Sequence, residues 1–308
     1  MPIKVVYSKS LTSFNADWIR PLVAPYLEFE QFDTAKTYPR DTLYYVNVLD
    51  FKKENIDQLL DRGFRIILDS LWERLSIHTL PIYNIHCSSW CWYNESLWWK
   101  HIGYDKYIPK KQLKYRGLMP INRRRPARDD FLKHINTEGL LWSYVENGRQ
   151  LPNDRDMQDW DTQRYFNPDW YDQTYASIVI ESTQRLSSKN NPTYNYNPLV
   201  SEKTLKPLAF YHPFVVYGQR THLSTLKSWG FETFDNLWDE SYDSIENIIQ
   251  RRDAVIDIAD NFKMQDYDAE TQSKLQHNHD RFFDTKLVQQ RIISEIILPI
   301  VEYAEIKN

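Results

Sequence analysis

The sequence predicts an α/β chain of two domains, each organised on a parallel, doubly wound sheet. Two observations carry the prediction. Short apolar runs bounded by turn residues alternate with stretches of helical period along the chain. The 308 residues suit one large or two medium domains with ample core, and a basic, loop-like stretch divides them near residue 112.

The elements follow in order. "IKVVYS" is an apolar strand at the start, and "DTLYYVNVLD" (41–50) is a second. An amphipathic helix runs through "KENIDQLLDRG". "FRIILDS" (64–70) is a third strand ending on Asp69, and "LPIYNIHCS" a fourth. Past the basic stretch, "YRGLMPINR" opens a new strand and "ARDDFLKHINTEGL" follows as a helix with Gly139 near its end. "YASIVIES" (175–182) is a buried strand, and "NNPTYNYNPLV" is loop-like. In "LVSEKTLKPLAFYHPFVVYG" (199–218), Leu205, Leu208 and Ala209 have helical spacing and Ser201 is an N-cap. Pro207 fits only in a first turn or at a kink. "PFVVYG" is the next strand, "THLSTLKSWG" a helix stopped at Gly230, and "FETF" a last short strand. The tail "TKLVQQRIISEIILPIVEYAE" is a long amphipathic helix expected to pack across both domains. The expected boundaries are 1–112, 113–285 and 286–308.

Composition excludes several classes. No apolar run approaches the roughly 18 residues that span a bilayer, and "MPIKVVYSKS" has no signal-peptide core. Cys87 and Cys91 make no disulfide framework, which suits a reducing, cytoplasmic setting. One CxxxC with scattered histidines is weak evidence for zinc, and no metal site is expected. The seven glycines, at 63, 103, 117, 139, 148, 218 and 230, are too sparse for a GxGxxG fingerprint or a Walker loop. Any phosphate must then be held by side chains and helix N-termini.

Charge is uneven. From Lys100 to Lys133 there are eleven Lys/Arg against three Asp/Glu, and from Asp235 to Glu270 eleven acids against three bases. The acidic run reads as a solvated face. The basic run packs Arg123, Arg124, Arg125 and Arg128 behind an apolar strand, and that pattern points to an anion, phosphate above all.

Parallel sheets bind ligands at the carboxyl ends of their strands. Three such ends carry polar groups: Asn122–Arg128, Glu181–Ser182 and Ser201–Lys203. At the last, the helix N-terminus adds positive potential to Lys203. Another unusual stretch is "HCSSWCWYNESLWWKH" (86–101), where Trp90, Trp92, Trp98 and Trp99 either stack on sugars and bases or form a buried cluster.

The strings "LMPINRRRPARDDFLKHINTEGLLWSYVENG", "IVIEST", "SEKTLKPLAFYHPFVVYG", "GFETFDNLWDESYDSIENIIQRRDAV" and "HNHDRFFD" together resemble glycosyltransferase-like proteins of bacteriophages and large viruses, over residues 115–300. More distantly, the second domain resembles the donor domain of α-1,3-fucosyltransferases, with Ser201–Glu202–Lys203 in place of a Thr-Glu-Lys run. The resemblance implies a GT-B fold, two Rossmann-like domains facing a cleft, and a metal-independent site for a nucleotide sugar such as a UDP- or GDP-sugar. It implies that Lys203 neutralises the diphosphate while Glu202 bonds ribose or sugar hydroxyls. Arg128, or a neighbour among Arg123 and Arg125, stabilises the leaving group. Glu181, with Ser182, binds donor sugar or ribose. The long interval between Glu181 and Ser201, and the bulky Phe210–Tyr211–His212, depart from the fucosyltransferase pattern. An inverting transfer also needs a base, for which Asp69, Glu73 and His86 of the first domain are the candidates. The implied acceptor is a hydroxylated base in viral DNA or else a glycan, lipopolysaccharide or protein, with Trp90, Trp92 and His86 near it. A non-catalytic binding or virion protein on the same fold is the rival reading, and the expected location is the infected cell's cytoplasm.

Overall fold

A computed structural model of the chain describes residues 2–7, 14, 16–47, 56–69, 82–85, 87, 89–121, 125–144, 167–182 and 198–306. They form two compact units. One joins Met1–His101 to Thr285–Asn308, and the other is Ile102–Asp284.

The first unit runs β1 (Ile3–Tyr7), α1 (Arg20–Val23), β2 (Leu27–Gln31), β3 (Leu43–Asn47), α2 (Ile56–Asp61), β4 (Arg65–Asp69), β5 (Ile82–Ile85) and α3 (Trp90–His101). Its strands pair in parallel in the order β2-β1-β3-β4-β5. This is the doubly wound arrangement the alternating pattern predicts. Apolar residues occupy both faces because both are covered. Val6, Tyr44, Val46, Ile66 and Leu68 pack against Ile56 and Leu59 of α2. Tyr45 on the opposite parity meets Phe14 and Phe29, and Phe14 meets Trp90.

The C-terminal segment belongs to this unit. It forms α10 (Thr285–Ile292), a π turn (Ile293–Ile297) and α11 (Leu298–Glu305), and α10 packs on α3. The turn widens just ahead of Pro299, whose missing N–H would interrupt a regular ladder at that point. Buried Arg65 fixes the far end, donating to the Tyr303 and Ala304 carbonyls beneath the Tyr303 ring.

The second unit runs β6 (Tyr115–Ile121), α4 (Pro126–His134), β7 (Leu140–Tyr144), α5 (Pro168–Gln173), β8 (Thr174–Ile180), α6 (Glu202–Ala209), β9 (Phe214–Tyr217), α7 (His222–Ser228), α8 (Ile248–Asp260) and α9 (Ala269–Phe282). Its sheet is again parallel, in the order β7-β6-β8-β9. Helix α8 packs on β9 and α4, and α9 packs on α6. The unit begins ahead of the expected 112–113 boundary because the segment before β6 is tied into it. Tyr107 and the Lys110 N–H donate to the Asp172 carboxylate, and the Gln112 and Lys114 N–H groups donate to carbonyls of α5.

Two expectations change. "FETF" is not a strand: Thr233 and the Phe234 N–H donate to Glu240, while Asn278 brackets Glu232 at 2.8 and 2.9 Å. Those side chains take the backbone groups a sheet would use. Pro207 lies inside α6 and not in its first turn. The helix then ends in a Schellman turn, with Tyr211 at φ 54° and the His212 N–H bonded to the Pro207 carbonyl. Gly230, the expected stop of α7, has φ 87°, and a Cβ there would stand 2.7 Å from Arg281. Among the described residues no helix is long and apolar enough to cross a membrane.

Candidate functional site

The order β7-β6-β8-β9 reverses between β6 and β8, and in sheets of this kind ligands bind at such a switch point. The carboxyl ends there are Ile121 and Ile180, so the next residues of each chain segment form the candidate site. Arg128 is drawn in from the first turn of α4 and is buried. Its guanidinium bonds the Ile180 carbonyl at 3.4 Å and the Ser182 hydroxyl at 3.3 Å. It therefore bridges the two strand ends on either side of the switch. Arg125 caps the same helix and is exposed. Arg123 lies outside the described residues.

Glu181 is 0 % exposed and organises the other half of the site. Its Oε1 accepts from the Ser201 N–H at 3.0 Å and from Thr204 Oγ1 at 2.8 Å, and its Oε2 accepts from Ser201 Oγ at 2.6 Å. Those bonds hold the N-cap of α6 against the end of β8. The expected role of Glu181 as a direct ligand of ribose or sugar shifts accordingly, because both oxygens already serve the protein. Glu181 is a positioning residue.

Ser201 Oγ, its own proton given to Glu181, accepts from the Lys203 N–H at 3.4 Å and from Lys203 Nζ at 3.1 Å. Lys203 Nζ also meets Glu202 Oε1 at 2.6 Å, with the two side chains 27 % and 23 % exposed. Burial alone would raise the Glu202 carboxyl, but the Lys203 ammonium outweighs it and holds the pKa below the usual value. Burial likewise lowers Lys203. Glu202 and Glu181 reverse that and keep the ammonium above its ordinary pKa, while Arg128 works against them. Lys203 and Arg128, from two different helices, thus share one local field. The N-terminus of α6 adds positive potential beside them.

His222 extends the network. Thr204 gives its proton to Glu181, so the 3.1 Å contact to His222 Nε2 makes that nitrogen the donor and Nδ1 the bare acceptor. Burial lowers the His222 pKa, against Glu181 and Asp243. Nδ1 faces Gly218, where a Cβ would stand 3.0 Å from it and 3.6 Å from Glu181 Cγ. A glycine at 218 is what lets the ring and the carboxylate approach the end of β9. Thr204, Gly218 and His222 are absent from the set read off the sequence. The same strand-end rule applied to "PFVVYG" would have reached Gly218 and His222.

The remaining candidates fall elsewhere. Asp69 does end β4, as expected, but its side chain, Glu73 and His86 lie outside the described residues. Trp90 and Trp92 are 0 % exposed, so packing in the first unit's core is the role the structure gives them and their faces are closed to an acceptor. The basic run is partly structural too. Arg116 binds the Glu138, Asn136 and Ala259 carbonyls and Asp260, and Lys111 binds the Tyr171 and Thr174 carbonyls. In the "DESYD" string, Glu240 clasps the 231–234 turn and Asp243 caps α7 through Leu223 and Ser224. Among the described residues no group of three or more His, Cys, Asp or Glu side chains converges to hold a metal ion.

The site can therefore hold an anion between two cations at a switch point, on a helix N-terminus fixed from behind by a buried carboxylate. Comparison with known protein families finds no model that matches the chain, and no curated protein matches it.

Proposed function

We propose that the protein is a nucleotide-sugar-dependent glycosyltransferase whose second unit holds the donor. The observation that carries this reading is the placement of Arg128 and Lys203 together at the β6/β8 switch point, around the N-cap of α6. A diphosphate matches that pair in charge and in its demand for several N–H donors. Lys203 exchanges its contact with Glu202 for a phosphate oxygen, and the freed Glu202 carboxylate accepts from ribose or sugar hydroxyls. Arg128 stabilises the diphosphate as the anomeric C–O bond breaks. The acceptor hydroxyl attacks the anomeric carbon and its proton passes to a base, for which Asp69 and Glu73 are the proposed groups.

The reading is tested by incubating the protein with UDP-, GDP-, CMP- and dTDP-sugars and following release of the free nucleotide. Acceptor arms are hydroxymethylated duplex DNA and a set of glycans. Acceptor-dependent release from one donor, lost in Arg128→Ala and Lys203→Ala, is the expected outcome. Binding of a nucleotide sugar without release in any arm would overturn transfer and leave a binding protein.

A further inference from the structure

A second feature of the same unit stands at the opposite end of its sheet. An open cleft of about 610 Å³ is lined by Leu113, Tyr211, Tyr267, Gln272, Leu275 and Gln276. That volume lies within the ~300–1,000 Å³ range of small-molecule sites. Its place is fixed by contacts to the start of β8. Tyr267 donates to the Tyr175 carbonyl, and Lys111, also on the wall, reaches the Thr174 carbonyl at 3.4 Å. The seven residues of β8 put about 20 Å between this cleft and the strand end that carries Glu181.

The lining selects a ligand class. Lys111 is committed to the Tyr171 and Thr174 carbonyls and sits 5.4 Å from the Tyr267 ring centroid, so it contributes little open positive charge. Asp266 is the one acid on the wall. The rest is side-chain amide, phenol, aromatic face and aliphatic edge, all neutral. Burial raises the pKa of both tyrosines, so both stay protonated at neutral pH. The Tyr267 proton goes to the Tyr175 carbonyl, which leaves that oxygen as an acceptor, while Tyr211 accepts from Gln276 and keeps its own proton to donate. Amides and phenols donate and accept alike, as a ring of sugar hydroxyls requires, and apolar faces match the C–H faces of a sugar.

Tyr211 gives the argument a second footing. It occupies the C′ position of the α6 Schellman turn at φ 54°, where glycine fits without steric cost and a tyrosine is strained. Its ring is held at the cleft by His279, stacked at 4.3 Å, and by Gln276 at 3.4 Å from the phenol oxygen. Strained residues of this kind concentrate where a side chain must be presented to a ligand.

We propose that this cleft binds a neutral oligosaccharide, as a site separate from the switch-point site and independent of what that site does. The experiment is saturation-transfer NMR with di- to tetrasaccharides of glucose, galactose, mannose and N-acetylglucosamine. It uses the full chain, Tyr211→Gly and Gln272→Ala, with melting curves on each. Tyr211→Gly removes the ring at a backbone position glycine favours. Gln272→Ala trims an amide whose recorded bond is to the Tyr267 carbonyl, so that at least one variant stays folded. The expected result is saturable binding of one saccharide class, weakened at least ten-fold in each folded variant. No saccharide transfer signal at millimolar concentration, or binding that survives in the folded variants, would overturn the proposal.

Discussion

Replacing Glu181 by alanine removes the acceptor of three donors at once: the Ser201 N–H at 3.0 Å, Ser201 Oγ at 2.6 Å and Thr204 Oγ1 at 2.8 Å. All three are left in a site that is 0 % exposed at residue 181. An orphaned buried donor costs about 1–3 kcal/mol. Rotation of the two hydroxyls recovers part of that, so the expected loss is about 3–5 kcal/mol. For a unit of this size each kcal/mol moves the melting temperature by about 2–4 °C, which predicts a fall of roughly 10 °C. Glu181→Gln is the control. It keeps Oε1 for two of the donors, and the Ser201 hydroxyl can turn to accept from the new amide. Its expected loss is under about 2 kcal/mol. Differential scanning calorimetry on the three proteins measures both differences. An alanine variant melting within 2 °C of the parent would refute the idea that Glu181 anchors the α6 N-terminus.

Two buried histidines predict a pH dependence. His212 is 0 % exposed, accepts from Ser177 Oγ at 2.7 Å and donates to the Thr174 carbonyl at 2.9 Å. Burial, with nearby Lys111, holds its pKa well below 6.5, and burial lowers His222 as well. Both are harder to protonate in the folded state than in the unfolded chain, which takes up their protons below about pH 6.5. Stability therefore falls as pH drops through that value, by up to about 1.4 kcal/mol per pH unit for each histidine. Urea midpoints at pH 7.5, 6.5 and 5.5 test this, and a flat series would count against it. Burial first, and then Glu295 beside it, pushes the Cys87 thiol up to about 12. Native protein at pH 8 should accordingly show slow alkylation at Cys87, and fast alkylation only after denaturation. Peptide mapping reads both rates, and equal labelling of Cys87 in the two states would contradict the burial argument.

The chain's central strands are legible in sequence because burial on both faces leaves them as apolar runs, as in "IVI" of β8, which is buried at all seven positions. Edge elements are less legible. β2, "LEFEQ", carries two glutamates and a glutamine because it is half-exposed at the sheet edge, and it is absent from the elements read off the sequence. β7 follows Gly139 so closely that its first residue, Leu140, falls within the helix string read from the sequence. "FETF" fails for another reason: its aromatic–polar alternation has the period of a strand, but Glu240, six residues on, and Asn278, distant in sequence, take its backbone groups. At the candidate site, strand ends and an N-cap serine point to Glu181, Ser201 and Lys203. They do not reveal that Glu181 faces inward, because that depends on where Thr204 and His222 stand in space. Tryptophan count has the same blindness, since Trp90 and Trp92 satisfy a stacking site and a core equally well in one dimension.

The measurement closest to the central claim is the melting temperature of the parent and Lys203→Ala across UDP-, GDP-, CMP- and dTDP-sugars. A ligand at one hundred times its Kd adds about 2.7 kcal/mol to the state it binds. The account predicts that one nucleotide series stabilises the parent by several degrees, and that the variant, measured from its own ligand-free melting temperature, loses most of that shift. Stabilisation of the parent by none of the series, or an equal shift in Lys203→Ala, would contradict it.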